Sequence, residues 1–177
     1  PGPDDPDDAR ASLAADERAR ADRFHFARDR ERFVAGRAGL RRILAGYAGC
    51  APAQLAFGYT SHGKPFLVGP GAALAFNLSH SHDLALVAVT RGRAVGVDLE
   101  RIRADDVELE RLARTVFSTA EQRALLALPP EARVDAFFRG WARKESYIKA
   151  RGEGLSMPLD RFSVSLAPGD VVGVEPD

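Results

Sequence analysis

The chain predicts an α+β fold built from two similar halves. Two observations carry this. Segments with helical spacing alternate with groups of short strands in the order helix, strands, helices, strands, which suits helices packed on small sheets. The 45% apolar content over 177 residues suits one domain or two small halves, each with its own core.

The elements follow in order. The opening "PGPDDPDD" has no core-forming residue, so residues 1–12 read as a linker. Residues 13–46 read as helix in two pieces, with Leu13, Phe24, Phe26, Phe33, Val34, Leu40, Ile43 and Leu44 as apolar positions. Gly36 and Gly39 argue against one unbroken rod. Short β-type runs come next: "LAFGY" (55–59), "PFLV" (65–68) and "LAFNL" (74–78). A hairpin is expected from "LALVAVT" (84–90) and "AVGVDLE" (94–100) around Gly92. Helices return with "ELERLARTVF" (108–117) and then "STAEQRALLAL" (118–128), where Ser118 and Glu121 form a capping-box pattern. The segment from "PPEAR" through "YIKA" (129–150) starts on prolines, which suit a helix's first turn. "RFSVSL" (161–166) and "VVGVE" (171–175) read as strands. Residues 13–100 and 101–177 are the two expected halves.

Composition narrows the function classes. The formal net charge is zero, so no broad polycation points to nucleic acid. The longest uninterrupted apolar run, Leu84–Val89, is too short to span a bilayer. Cys50 is the only cysteine, so no internal disulfide forms and a reducing cytoplasm is expected. Among the 25 basic residues only Lys64, Lys144 and Lys149 are lysines. In a chain that uses Arg wherever it serves, a retained Lys marks a place that needs a compact ammonium.

"GVDLE" (96–100) raises a chemical question. Alternation puts Asp98 and Glu100 on one side, about 7 Å apart, where they repel. Phe138, Trp141, Glu145 and Ile148 share one apolar helix face, so Glu145 points where a carboxylate needs a partner. Lys149 follows one turn on. Three convergent carboxylates would accept a hard divalent cation, Mg²⁺ first, which removes the repulsion and takes up substrate phosphates. Ser79 and His80 fall in an expected polar turn within "FNLSHSHDL", suited to meeting a ligand. His80 and His82 lack a nearby third His or Cys for zinc. In "SHGKP", Gly63 permits close backbone approach and Lys64 offers a point charge for phosphate.

These stretches together resemble the Sfp-type 4′-phosphopantetheinyl transferases. The matching features are "GKP" (63–65), "FNLSHS" (76–81), "GVDLE" (96–100) and "WARKESYIKARGEGLSMPLDRFSV" (141–164), in order over about residues 24–166. "RERFVAGRAGLRRIL" matches more loosely. The resemblance implies a pseudo-dimer of two α/β halves, each with helices on a small antiparallel sheet, acting as a monomer or within an oligomer. It implies coenzyme A as substrate, held in the cleft between the halves. Mg²⁺, with Mn²⁺ as the alternative, would be bound by Asp98, Glu100 and Glu145. Lys64, Ser79, His80 and Lys149 would hold coenzyme A phosphates, with Arg32 a looser match, while Gly63, Pro65 and Asn77 would shape the nucleotide pocket.

The implied reaction moves the phosphopantetheine arm to a serine of an acyl or peptidyl carrier protein, as a holo-acyl-carrier-protein synthase does. The catalytic set is expected to be Glu145, Lys149 and Asp98, with Glu145 the best base. Against the family pattern, the opening strand is missing and further strands are expected beyond residue 177. The chain is therefore expected to be trimmed, or a domain of a larger synthase. A metal-dependent phosphohydrolase using His80, His82, Asp98 and Glu100 is the alternative enzyme, and a coenzyme A or carrier-binding module the alternative without catalysis.

Overall fold

A computed structural model describes residues 6–102, 108–169 and 174–176. The helices are α1 (Pro6–Ala11), α2 (Ala15–Ala21), α3 (Ala27–Ala48), α4 (Leu109–Val116), α5 (Thr119–Leu126) and α6 (Pro130–Arg151). The strands are β1 (Ala56–Tyr59), β2 (Pro65–Val68), β3 (Leu74–Ser81), β4 (Leu84–Arg91), β5 (Phe162–Val164) and β6 (Val174–Pro176). They pair two by two: β1 with β2 and β5 with β6 antiparallel, and β3 with β4 as a hairpin. This is the expected α+β arrangement of helices with small sheets.

The chain forms two compact units, Pro1–Leu78 with Val87–Val95, and Ser79–Leu86 with Gly96–Asp177. The base of the β3–β4 hairpin belongs to the first unit and its tip to the second.

In the first unit, Leu40, Leu44 and Ala45 of α3 pack with Leu55, Leu67, Leu74 and Phe76. A second cluster joins Ala9, Leu13 and Ala21 to Val34 and Ala38 of α3. Ala9 and Leu13 therefore tie the start of the described chain to α3, and Pro6–Ala11, within the expected linker, is a helix. The helical region breaks between α2 and α3, while Gly36 and Gly39 lie inside the unbroken α3.

In the second unit, Ala136 and Phe137 of α6 pack with Ala113, Phe117, Leu125 and Leu166. Ile148 packs with Phe162 and Val164 of β5. The capping box is formed: Ser118 Oγ accepts from the Glu121 N–H and Glu121 Oε2 accepts from the Ser118 N–H. Pro130 opens α6, and Gly152 closes it in the left-handed region at φ 76°.

Three local expectations are corrected. β4 pairs back with β3 through a two-residue link in which His82 has φ 54°, rather than forward with 94–100. Residues 94–100 belong to no strand, since their backbone meets a helix and a serine instead. Ser79 and His80 lie in β3 rather than in a turn, so alternation buries Ser79 and exposes His80. Of the expected strand 171–175, positions 171–173 lie outside the described residues.

Candidate active site

The candidate site of the second unit starts from a close backbone approach. A Cβ on Gly96 would lie 1.9 Å from the Ser146 carbonyl oxygen and 2.4 Å from the Ala150 nitrogen. Only glycine lets the 96–100 segment run against the backbone of α6 there. Two residues further on, Asp98 enters a built environment. Its Oδ1 accepts from Ser79 Oγ at 2.9 Å and from Lys149 Nζ at 2.5 Å. Ser79 Oγ also accepts from the Leu99 N–H at 3.2 Å and from Lys149 Nζ at 3.1 Å. The Ser79 hydroxyl thus gives its single donor to Asp98 and has an N–H for each lone pair. Asp98 Oδ2 is buried and has no hydrogen-bond partner.

Glu100 is exposed and accepts from Trp141 Nε1 at 3.1 Å. Glu145 lies half-buried on the flank of α6; the helix's buried stripe runs through Phe137, Gly140, Lys144 and Ile148. Burial pushes the Glu145 carboxyl above the usual range; Lys149 pulls it down, while the charges of Asp98 and Glu100 push it further up. The charges of Asp98 and Glu100 thus both reach Glu145.

Lys144 plays a role that sequence reasoning missed. It is fully buried, pairs with Glu121 Oε2 at 2.8 Å, and donates to the carbonyls of Leu159 at 2.6 Å and Phe162 at 2.5 Å. The compact ammonium expected from lysine usage is needed here to hold α6 in place, not to meet a ligand. The signal was available: Phe137, Gly140, Lys144 and Ile148 follow helical spacing along one face.

The first unit holds the other predicted residues. The loop between β1 and β2 turns at Gly63, whose φ of 80° needs glycine. Lys64 is half-buried and donates to the Val95 carbonyl at 3.3 Å, and burial lowers its ammonium pKa. Pro65 opens β2 opposite Tyr59. Asn77 is buried in β3, and Arg32 is exposed on α3.

A family model described as 4′-phosphopantetheinyl transferase superfamily matches residues 94–175, and one described as 4′-phosphopantetheinyl transferase, N-terminal, matches residues 1–92. The 4′-phosphopantetheinyl transferase HetI of Nostoc sp. is 47% identical over 91% of this chain and 68% of that protein. The chain belongs to the 4′-phosphopantetheinyl transferase superfamily. The Sfp enzyme of Bacillus subtilis is 32% identical over 92% of this transferase and 70% of its own length. The human L-aminoadipate-semialdehyde dehydrogenase-phosphopantetheinyl transferase is 31% identical, over 89% of this chain and 54% of that protein.

The transferase's acidic group consists of Asp98, Glu100 and Glu145. Among the described residues, no three His, Cys, Asp or Glu side chains stand as a ready-made metal cluster. The hard oxygen donors are nevertheless the right type for Mg²⁺. The orphaned Oδ2 of Asp98 is a buried anionic atom without the partner that such atoms require. The residues fit the ion. Among the described residues, no helix is long and apolar enough to cross a membrane.

Proposed function

We propose that this transferase moves the 4′-phosphopantetheine arm of coenzyme A to a serine of an acyl or peptidyl carrier protein, with Mg²⁺, releasing adenosine 3′,5′-bisphosphate. The observation that carries this reading is the half-buried Glu145 beside Asp98 and Glu100, with Lys149 on Asp98 and one Asp98 oxygen unpartnered. Asp98, Glu100 and Glu145 are the metal ligands. Bound there, Mg²⁺ supplies positive charge to the diphosphate.

Lys149 brings a compact ammonium toward the same phosphates. Lys64, Ser79 and His80 hold the remaining phosphate groups with help from Arg32, and Gly63, Pro65 and Asn77 shape the nucleotide pocket. Glu145, whose burial raises its affinity for a proton, takes the proton of the carrier serine. The serine oxygen bonds to the β-phosphorus, and the bond from that phosphorus to the adenosine bisphosphate oxygen breaks.

Intact mass of several apo carrier proteins, incubated with the transferase, coenzyme A and Mg²⁺, tests this. The expected result is addition of one arm per carrier, abolished by a chelator and restored by Mg²⁺. Unmodified carriers together with turnover of simple phosphate esters would overturn it in favour of a phosphohydrolase.

A further inference from the structure

Trp141 was read from the sequence as part of an apolar stripe and as the first residue of the matching stretch 141–164. In the structure its ring packs, half-buried, against the cluster of Ala113, Phe117, Leu125, Ala136, Phe137 and Leu166. Its indole nitrogen reaches out of that cluster to Glu100 Oε1 at 3.1 Å. An aromatic ring fixed in a core with its N–H in contact with a carboxylate is a rigid donor. A hydrogen bond to an ionised acceptor is also stronger than one between neutral groups.

Glu100 needs such a donor more than its neighbours do. Asp98 is held by Ser79 and Lys149, and Glu145 sits on α6 itself. Glu100 is exposed, in a segment outside any strand, and carries a long side chain that loses much rotamer freedom when fixed. Trp141 lies four residues before Glu145 and eight before Lys149, so one face of α6 carries all three.

We propose that Trp141 is a positioning residue of the metal site: its indole N–H holds the Glu100 carboxylate in place for the divalent cation before the cation arrives. This rests on the reading of Asp98, Glu100 and Glu145 as Mg²⁺ ligands. Outer donors of this kind typically change metal affinity by about 10- to 100-fold when removed.

Trp141 is the only tryptophan in the chain, so its fluorescence reports on Glu100 without labelling. Mg²⁺ is titrated into the protein alone, followed in parallel by calorimetry and by tryptophan emission. The wild type is expected to show one saturation curve by both methods, and Glu100→Ala to lose the emission change. Trp141→Phe keeps the ring's packing and removes the donor. It is expected to bind Mg²⁺ about tenfold more weakly, to keep its melting temperature, and to regain transfer as Mg²⁺ is raised.

A Trp141→Phe variant with wild-type Mg²⁺ affinity overturns the proposal, and so does a lowered melting temperature with unchanged affinity, which is the mark of packing alone. If that variant does not fold, the wild-type and Glu100→Ala emission curves decide: a flat wild-type emission while calorimetry saturates overturns the proposal. A wild type that binds no Mg²⁺ and transfers without it removes the metal reading itself.

Discussion

The two long helices, α3 and α6, are built to one plan and used differently. Each has 22 residues and ends on a left-handed glycine, Gly49 or Gly152. The fifteenth residue of each is a buried cation, Arg41 or Lys144. Each cation meets a buried glutamate at the third position of a short preceding helix: Arg41 meets Glu17 at 2.7 Å, and Lys144 meets Glu121 at 2.8 Å. Each also holds two carbonyls three residues apart, of Pro52 and Leu55 or of Leu159 and Phe162.

The difference lies in the neighbouring positions. Where α6 has Trp141, Glu145 and Lys149, α3 has Ala38, Arg42 and Gly46. The clamp belongs to the scaffold, while the acidic site is a set of helix positions added beside it in one half.

Asp98→Ala tests that division most severely. Transfer should fall to background while the melting temperature stays near wild type, because Asp98 serves the site and not the clamp. Near-normal transfer at saturating Mg²⁺ would break the comparison. Glu145→Gln, next to the clamp but not in it, should lower the rate by about 10²- to 10⁴-fold even at saturating Mg²⁺, the scale of a lost general base. Full rescue by Mg²⁺ would leave Glu145 as a ligand only.

The clamps themselves are compared by denaturant unfolding of Lys144→Met and Arg41→Met. Lys144→Met leaves Glu121 buried without its cation and should cost about 3–5 kcal/mol. Glu17 keeps Arg37 when Arg41 is lost, so Arg41→Met should cost less, about 1–3 kcal/mol for the carbonyls it leaves unpaired. Equal losses would show that Arg37 contributes nothing to the first clamp.

The smallest effect is in pH dependence, and it has opposite signs in the two units. Burial alone would raise the Glu17 carboxyl, but hydrogen bonds from Arg41, the Ala14 N–H and Arg37 outweigh it and hold it low. Its stabilisation is present above the usual glutamate range and is lost as pH falls through the lowered value. Glu145 is raised, so its contribution is present below that range and is lost as pH rises through the raised value. Glu17→Gln should flatten the acid side of the stability profile, and Glu145→Gln should stabilise the protein on the neutral side. Thermal melts across pH check both.

Much of this was legible where a signal is local. Ser118 and Glu121 announced the start of α5, Pro130 that of α6, and the apolar run at residues 65–68 became β2. Asp98, Glu100 and Glu145 stood out in the sequence as acids beside apolar residues, although the strand expected at 94–100 does not form and Glu145 lies on the flank of α6. Signals that depend on distant partners were not readable. Ser79 reads as a turn residue until Asp98 and Leu99 supply its hydrogen bonds. The helical spacing places Lys144 on the buried face, but its partners, Glu121 and two carbonyls, lie far along the chain. The segment 94–100 carries a strand pattern, but its backbone lies against α6 at Gly96.

That contact at Gly96 also has a genetic meaning. Every glycine codon begins GG, and any single-base change that alters the residue brings in a larger side chain. At most surface glycines such a change is absorbed by a small shift. Here the first added atom would meet main-chain atoms of Ser146 and Ala150, which cannot swing aside as a side chain does. The segments that carry Asp98 and Glu145 thereby depend on a third position, where the two backbones meet. A missense scan of this chain should find position 96 as intolerant as the acids themselves.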